Sequence, residues 1–440
     1  MYKMAAALTI IVSSMTLIIS AIMLLRLYGR TFIITIPGMF YLSYIILIFV
    51  GSPVVFIDSN YSALSYYIST HLGMFLPILG IMFVNHYSQT NTRSALEEFL
   101  QKPIVERYGE ASFRIPFLIL CAISILVAYK YLSAIDIPIF YLFGDLDSAL
   151  SLAKLREMAT TTVKGIKLHR YRFFMSQLLP LLSIIAYLKM KMNGRFFWKI
   201  LFLSLFFATS FMAVVDLQKK PLLAYLLMVF VAMSFYKGRI NYRSIVIITL
   251  IILLLLFAMF TFIMGLEGRP FSDVLSAISG RLFIGQSYPL LLYFQAFPQK
   301  HDYLYGQSFP NPGGMFPFKP FPLTRYIYKT NLGIADIAAT APTVFFGEIY
   351  ANFGFAIMML WMVFVGILLQ LIQNYFQNKE KNVILSAFYI FYIIQCMQLA
   401  LTSFFVVFHL YLILFWAASQ FLKLTSKLIS GSLRTVHQNG

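Results

Sequence analysis

The sequence predicts an all-α, polytopic integral membrane protein with about 11 transmembrane helices and one large polar loop late in the chain. Three observations carry that prediction. Of the 440 residues, 60% are hydrophobic and only 11% are charged, whereas a soluble domain carries roughly 25% charged residues. The apolar runs are continuous over about 20 residues, the length of a helix that crosses a bilayer. Barrel strands would instead show short alternating segments. Finally, the longest break between runs is 266–341, where a polar stretch precedes further apolar spans.

Composition excludes several classes of function. Cys121 and Cys396 both fall in apolar spans far apart in sequence, so no disulfide framework, zinc site or redox motif is expected. The formal charge of +18 would suggest a nucleic-acid partner in a soluble protein. Here Lys and Arg gather at span ends, where positive-inside bias and anionic lipid hold them, so the lipid bilayer is the expected partner and nucleic acid is not.

Taken in order, the first span is the run Ala5–Leu25. It is too long for a signal-peptide core and no small-residue cleavage site ends it, so it reads as an uncleaved helix. Further spans follow at 32–57, 62–84, 115–134, 173–188, 197–215, 221–236 and 244–265, completing a first region over 1–265. After the loop 266–341, the region 342–440 holds spans at 342–372, 383–400 and 403–422 and a short tail.

Short connections set the orientation. One set carries Arg26 and Arg30, Lys189 to Lys199, Lys237 to Arg243, and Lys379 with Lys381, while the opposite set holds only Lys219 and Lys220. The basic set is therefore expected in the cytoplasm, with the N-terminus outside and the C-terminus inside. The connection 85–114, with Glu97, Glu98, Glu106 and Glu110, then faces the cytoplasm, and the long connections 135–172 and 266–341 face outward. Both outward segments are basic: the first carries Arg156, Arg170 and Arg172, the second Arg269, Arg281 and Arg325. Long outward segments escape positive-inside bias. Contact with lipid headgroups and contact with an anionic substrate both remain open for them.

The loop 266–341 divides into three parts. Ser272–Ile284 predicts a helix, with Ser272 as cap, Asp273 at its positive end, and Val274, Ile278 and Phe283 at helical spacing. Ser308–Arg325 interleaves prolines with Phe309, Phe316, Phe318 and Phe321, which predicts an extended crossover. Such a segment suits an interfacial aromatic belt or a platform for sugar rings. The third part, Gly333–Ala341, leads into the ninth span through Asp336.

Glu348 is the sharpest single signal, a carboxylate among Phe345, Phe346, Ile349 and Tyr350 near the outer end of the ninth span. A carboxylate in such surroundings calls for an ion-pair partner, here Arg269, Arg281 or Arg325, or for a chemical role such as general base. His301 beside Asp302 is a second candidate base, against the reading of a solvated loop pair. His71 and His409 lie inside spans and read as packed polar residues. No HExxH, paired Cys, Gly-rich phosphate loop or GxSxG is present, so no metal and no cofactor is expected.

The layout resembles the bacterial O-antigen polymerase (Wzy-type), or oligosaccharide repeat-unit polymerase, family. The resemblance rests on the Gly268-Arg269-Pro270-Phe271 run with Arg281, the Asn311-Pro312-Gly313-Gly314 turn, and Thr343–Gly354 with Gly347-Glu348 and Asn352-Phe353-Gly354. Arg269 and Gly280 match an Arg–x10–Gly pattern of the family's periplasmic loops, and the first outward loop has no copy at that spacing. The resemblance implies a GT-C-like fold in the bacterial inner membrane. It also implies a hexosyltransferase that joins undecaprenyl-diphosphate-linked oligosaccharides at the outer face, aided by a chain-length regulator, without cofactor. Arg269, Arg281 and Arg325 would then hold the leaving diphosphate, Arg156, Arg170 and Arg172 would guide it, and Glu348 or His301 would take the proton of the attacking hydroxyl. Two neighbouring functions stay open: an O-antigen ligase, for which His301 is the candidate, and a flippase for lipid-linked oligosaccharide.

Overall fold

The computed structural model describes residues 2–89, 91–106, 109–134, 171, 173–215, 218–263, 268–332, 340–405 and 416–429. The regular elements among them are helical: α1 (Tyr2–Tyr28), α2 (Ile36–Tyr44), α3 (Ser52–Asp58), α4 (Leu64–Ser88), α5 (Thr92–Gln101), α6 (Glu110–Leu132), α7 (Leu179–Asn193) and α8 (Phe196–Val214). There follow α9 (Lys219–Lys237), α10 (Tyr242–Ile263), α11 (Phe271–Ser279), α12 (Ser287–Ala296), α13 (Leu323–Leu332), α14 (Phe345–Gln377) and α15 (Val383–Cys396). Among the described residues, 10 helical stretches are long and apolar enough to cross a membrane. They coincide with the first ten predicted spans, so the chain is a multi-pass membrane protein. Within the eleventh, residues 406–415 lie outside the described residues, and 416–429 is helical. Also outside them are residues 135–170 and 172 of the first outward connection, and Asp336 of the second.

The structure corrects several local expectations. The second span is broken into α2, a π turn at Ile45–Phe49, and α3, which restarts at Ser52 with Pro53 in its first turn. Proline lacks the N–H a continuing helix would use, and suits a helix start. The helix expected over Ser272–Ile284 begins at Phe271 and ends at Ser279, with a π turn over Gly280–Ile284. Ser272 Oγ donates to the Asp273 carboxylate at 3.3 Å. The crossover ends at Pro322, since α13 starts at Leu323. Two helices inside the loop, α12 and α13, have no counterpart in the prediction. In α12, Leu290 to Phe294 are buried in succession, so the sequence shows no one-sided stripe to reveal it.

Contacts divide the chain into two compact units. The first comprises Met1–Phe99, Leu275–Lys379 and Tyr392–Phe408. Its tightest helix pair is α4 with α14: a Cβ on Gly366 would lie 2.0 Å from the Pro77 carbonyl oxygen, and one on Gly80 2.2 Å from that of Val363. Small residues at such crossings let backbones approach where no hydrophobic effect drives helices together. Amide side chains of α14 add polar ties. Tyr28 donates to Gln370 Oε1, and Gln373 Oε1 accepts the Ile36 N–H at 3.0 Å.

The second unit comprises Leu100–Val274, Glu380–Phe391 and His409–Gly440. Lys189 of α7 is buried and pairs with Glu106 and, at 3.8 Å, with Glu110. Glu110 also accepts Asn193 Nδ2 at 2.8 Å and the Trp198 indole N–H. A buried ammonium survives only with such partners. Lys381 Nζ donates to the carbonyls of Leu100 and Lys102, each at 2.8 Å, closing the end of α5.

Candidate functional site around Glu348

The site belongs to the first unit and starts from a helix break. Gly354 adopts φ +78° and ψ −172° inside α14, a conformation that only glycine visits without strain. A helix that breaks there leaves the carbonyls of its preceding turn without their usual donors. The loop after α12 supplies them: the Leu304 N–H donates to the Ala351 carbonyl and the Tyr305 N–H to that of Asn352, both at 3.0 Å. Gly354 also admits the Tyr303 ring, whose Cζ would stand 3.1 Å from a Cβ.

This pairing delivers Ser308 to Glu348. Asn352, fully buried, accepts the Gly306 N–H at 2.9 Å and donates to Ser308 Oγ at 2.8 Å. Ser308 in turn donates to Glu348 Oε1 at 2.9 Å. Ser403 lies alongside the carboxylate, yet Oε2 is buried and makes no hydrogen bond among the described residues. Gly347 permits the close approach of α12, since a Cβ there would lie 2.8 Å from Leu290 Cδ1. Tyr293 of α12 donates to the Ala341 carbonyl at 3.1 Å. Burial raises its phenol far above the ordinary value, and the nearby Glu348 charge adds to the effect. Phe309 closes one flank, packed on Phe405 at 4.7 Å and Phe353 at 5.8 Å.

Of the residues read from sequence, Arg281 follows α11 and Arg325 lies on α13, both exposed. Neither makes an ion pair with Glu348, and Glu348 has no ion-pair partner among the described residues of its unit. Arg269 is exposed and belongs to the second unit. His301 is half-buried in an aromatic box of Phe297, Phe321 and Tyr326, with ring separations of 5.6, 5.0 and 5.4 Å. Its Nδ1 donates to the Asp302 backbone carbonyl at 2.7 Å, so the adjacent carboxylate is not its partner. Arg156, Arg170 and Arg172 lie outside the described residues. Among the described residues no cluster of His, Cys, Asp or Glu could hold a metal ion.

Sequence reasoning missed Ser308 and Asn352. An Asn two residues before a glycine near a helix start was the available signal, but their meeting depends on the Gly354 break. Among the described residues of its unit, the carboxylate has Oε1 held by Ser308, Ser403 alongside, no hydrogen bond at Oε2 and no ion-pair partner. It can accept a hydrogen bond, or a proton, from a hydroxyl. No protein-family model, no curated protein and no solved structure matches the chain.

Proposed function

We propose that this protein is a glycosyltransferase that polymerises undecaprenyl-diphosphate-linked oligosaccharide repeat units at the outer face of the bacterial inner membrane. The observation that carries the reading is Glu348, fixed by Ser308 through Oε1 and without a hydrogen bond at Oε2 among the described residues. A hydroxyl of one lipid-linked unit attacks the anomeric carbon of a second chain. The carbon–oxygen bond to the diphosphate breaks, the electron pair leaves on the diphosphate, and Glu348 takes the hydroxyl proton. General-base assistance of this kind contributes about 10²–10⁴-fold. Guanidiniums suit the leaving group because their planar fork matches phosphate oxygens. Arg281 and Arg325, exposed in the same unit, are assigned that role, with Arg269 and the basic connection 135–172 recruiting substrate.

Surface glycan from a deletion strain, resolved by gel, tests the reading. The long-chain ladder should vanish while glycan bearing one repeat unit persists. Loss of every repeat unit would overturn the reading in favour of a flippase or ligase.

A further inference from the structure

The crossover carries an exposed apolar tip. Met315 is 76% exposed and Phe316 49%, and the Phe316 and Phe318 rings stack 5.7 Å apart at 10°. Adjacent exposed apolar groups on a loop of a membrane protein are a candidate contact surface. The tip is held in shape from within. Asn311 Oδ1 accepts the Phe316 N–H, and its Nδ2 donates to the carbonyls of Phe316 and Phe318, all at 2.9 Å. The Gly314 N–H returns to the Asn311 carbonyl at 3.3 Å. Gly313 and Gly314, at φ +66° and +73°, make the turn, and a Cβ on either would meet nothing within 4 Å.

Its depth follows from α14. The segment from Phe355 to Gln377 rises about 35 Å at 1.5 Å per residue, enough for a hydrocarbon core of about 30 Å. A membrane boundary at Gly354 fits that length, and the loop is pinned to Ala351 and Asn352 immediately beyond it. Lipid-exposed loops do not persist within the hydrocarbon because unpaired backbone groups are costly there. At the interface the cost falls, and here it falls further, since Asn311 occupies three backbone groups and Pro317 and Pro320 have no N–H.

We propose that the tip Met315–Phe318 inserts into the boundary between lipid headgroups and acyl chains, with the exposed Lys319 paired to anionic headgroups. Aromatic side chains favour that depth and a flanking cation strengthens attachment to anionic lipid. A sugar platform, the other expectation for this segment, would need hydroxyl partners. From Gly313 to Phe318 no side chain carries a hydroxyl, amide or charge, and the Asn311 amide is already engaged.

The test uses the full chain with Met315→Cys carrying an environment-sensitive fluorophore; both native cysteines are buried. It is reconstituted in phosphatidylethanolamine–phosphatidylglycerol vesicles doped with lipids spin-labelled near the headgroup or shallow in the acyl chain. Spin-labelled lipid should quench the fluorophore more than aqueous iodide does, and Lys319→Glu should reduce that quenching. Quenching by iodide alone, or shielding that appears only when lipid-free oligosaccharide is added, would overturn the proposal. The readout requires no glycosyl transfer, so it stands or falls separately from the polymerase reading.

Discussion

Glu348 and Lys381 show two ways this chain handles a charge near the membrane. Lys381 is enclosed with two carbonyls as acceptors, and burial pushes its ammonium down to about 8 from an ordinary 10.5. The unfolded chain then holds a proton across that interval which the folded chain has released. Stability should accordingly rise with pH between about 8 and 10.5, after staying level below it. Thermal unfolding in detergent, comparing wild type with Lys381→Met, checks this: the difference between them should change across that window. A difference independent of pH would contradict it. Glu348 has Oε2 without a hydrogen bond among the described residues, and that asymmetry motivates its proposed role as the reacting group. The residue type and its apolar neighbours were legible in sequence. That Ser308, forty positions earlier, would hold one oxygen was not, because their meeting is set by a backbone break.

At the scale of elements, run length made the spans legible, because an apolar run of about 20 residues has few other structures available. Sequence patterning failed where burial is uniform, as in α12, and where a helix is interrupted, as between α2 and α3. The α4–α14 pair was also hidden, since nothing in the sequence says which glycines face each other. Gly366→Ala places a methyl 2.0 Å from a backbone oxygen of Pro77, and α4 has no flexible side chain there to yield. Overpacking of this kind costs about 1–3 kcal/mol. A lowered midpoint of thermal unfolding in detergent is expected, and an unchanged midpoint would show that the two helices separate freely.

For the whole molecule, helical class and multi-pass character follow from composition and span order, and the described residues agree with both. The basic balance of +18 is distributed so that several arginines fall in polar connections away from the spans. The proposed transfer from a lipid diphosphate has use for that arrangement, and in that proposal Glu348 is the base. The most direct test of the central claim is transfer by the purified protein in nanodiscs supplied with undecaprenyl-diphosphate-linked oligosaccharide. Wild type should release undecaprenyl diphosphate and form a ladder of lengthening chains. Glu348→Gln, which keeps the shape and removes the base, should bind the donor normally and react about 10²–10⁴-fold more slowly. Equal rates for Glu348→Gln and wild type would contradict the account, as would wild-type protein that binds donor and forms no longer chain.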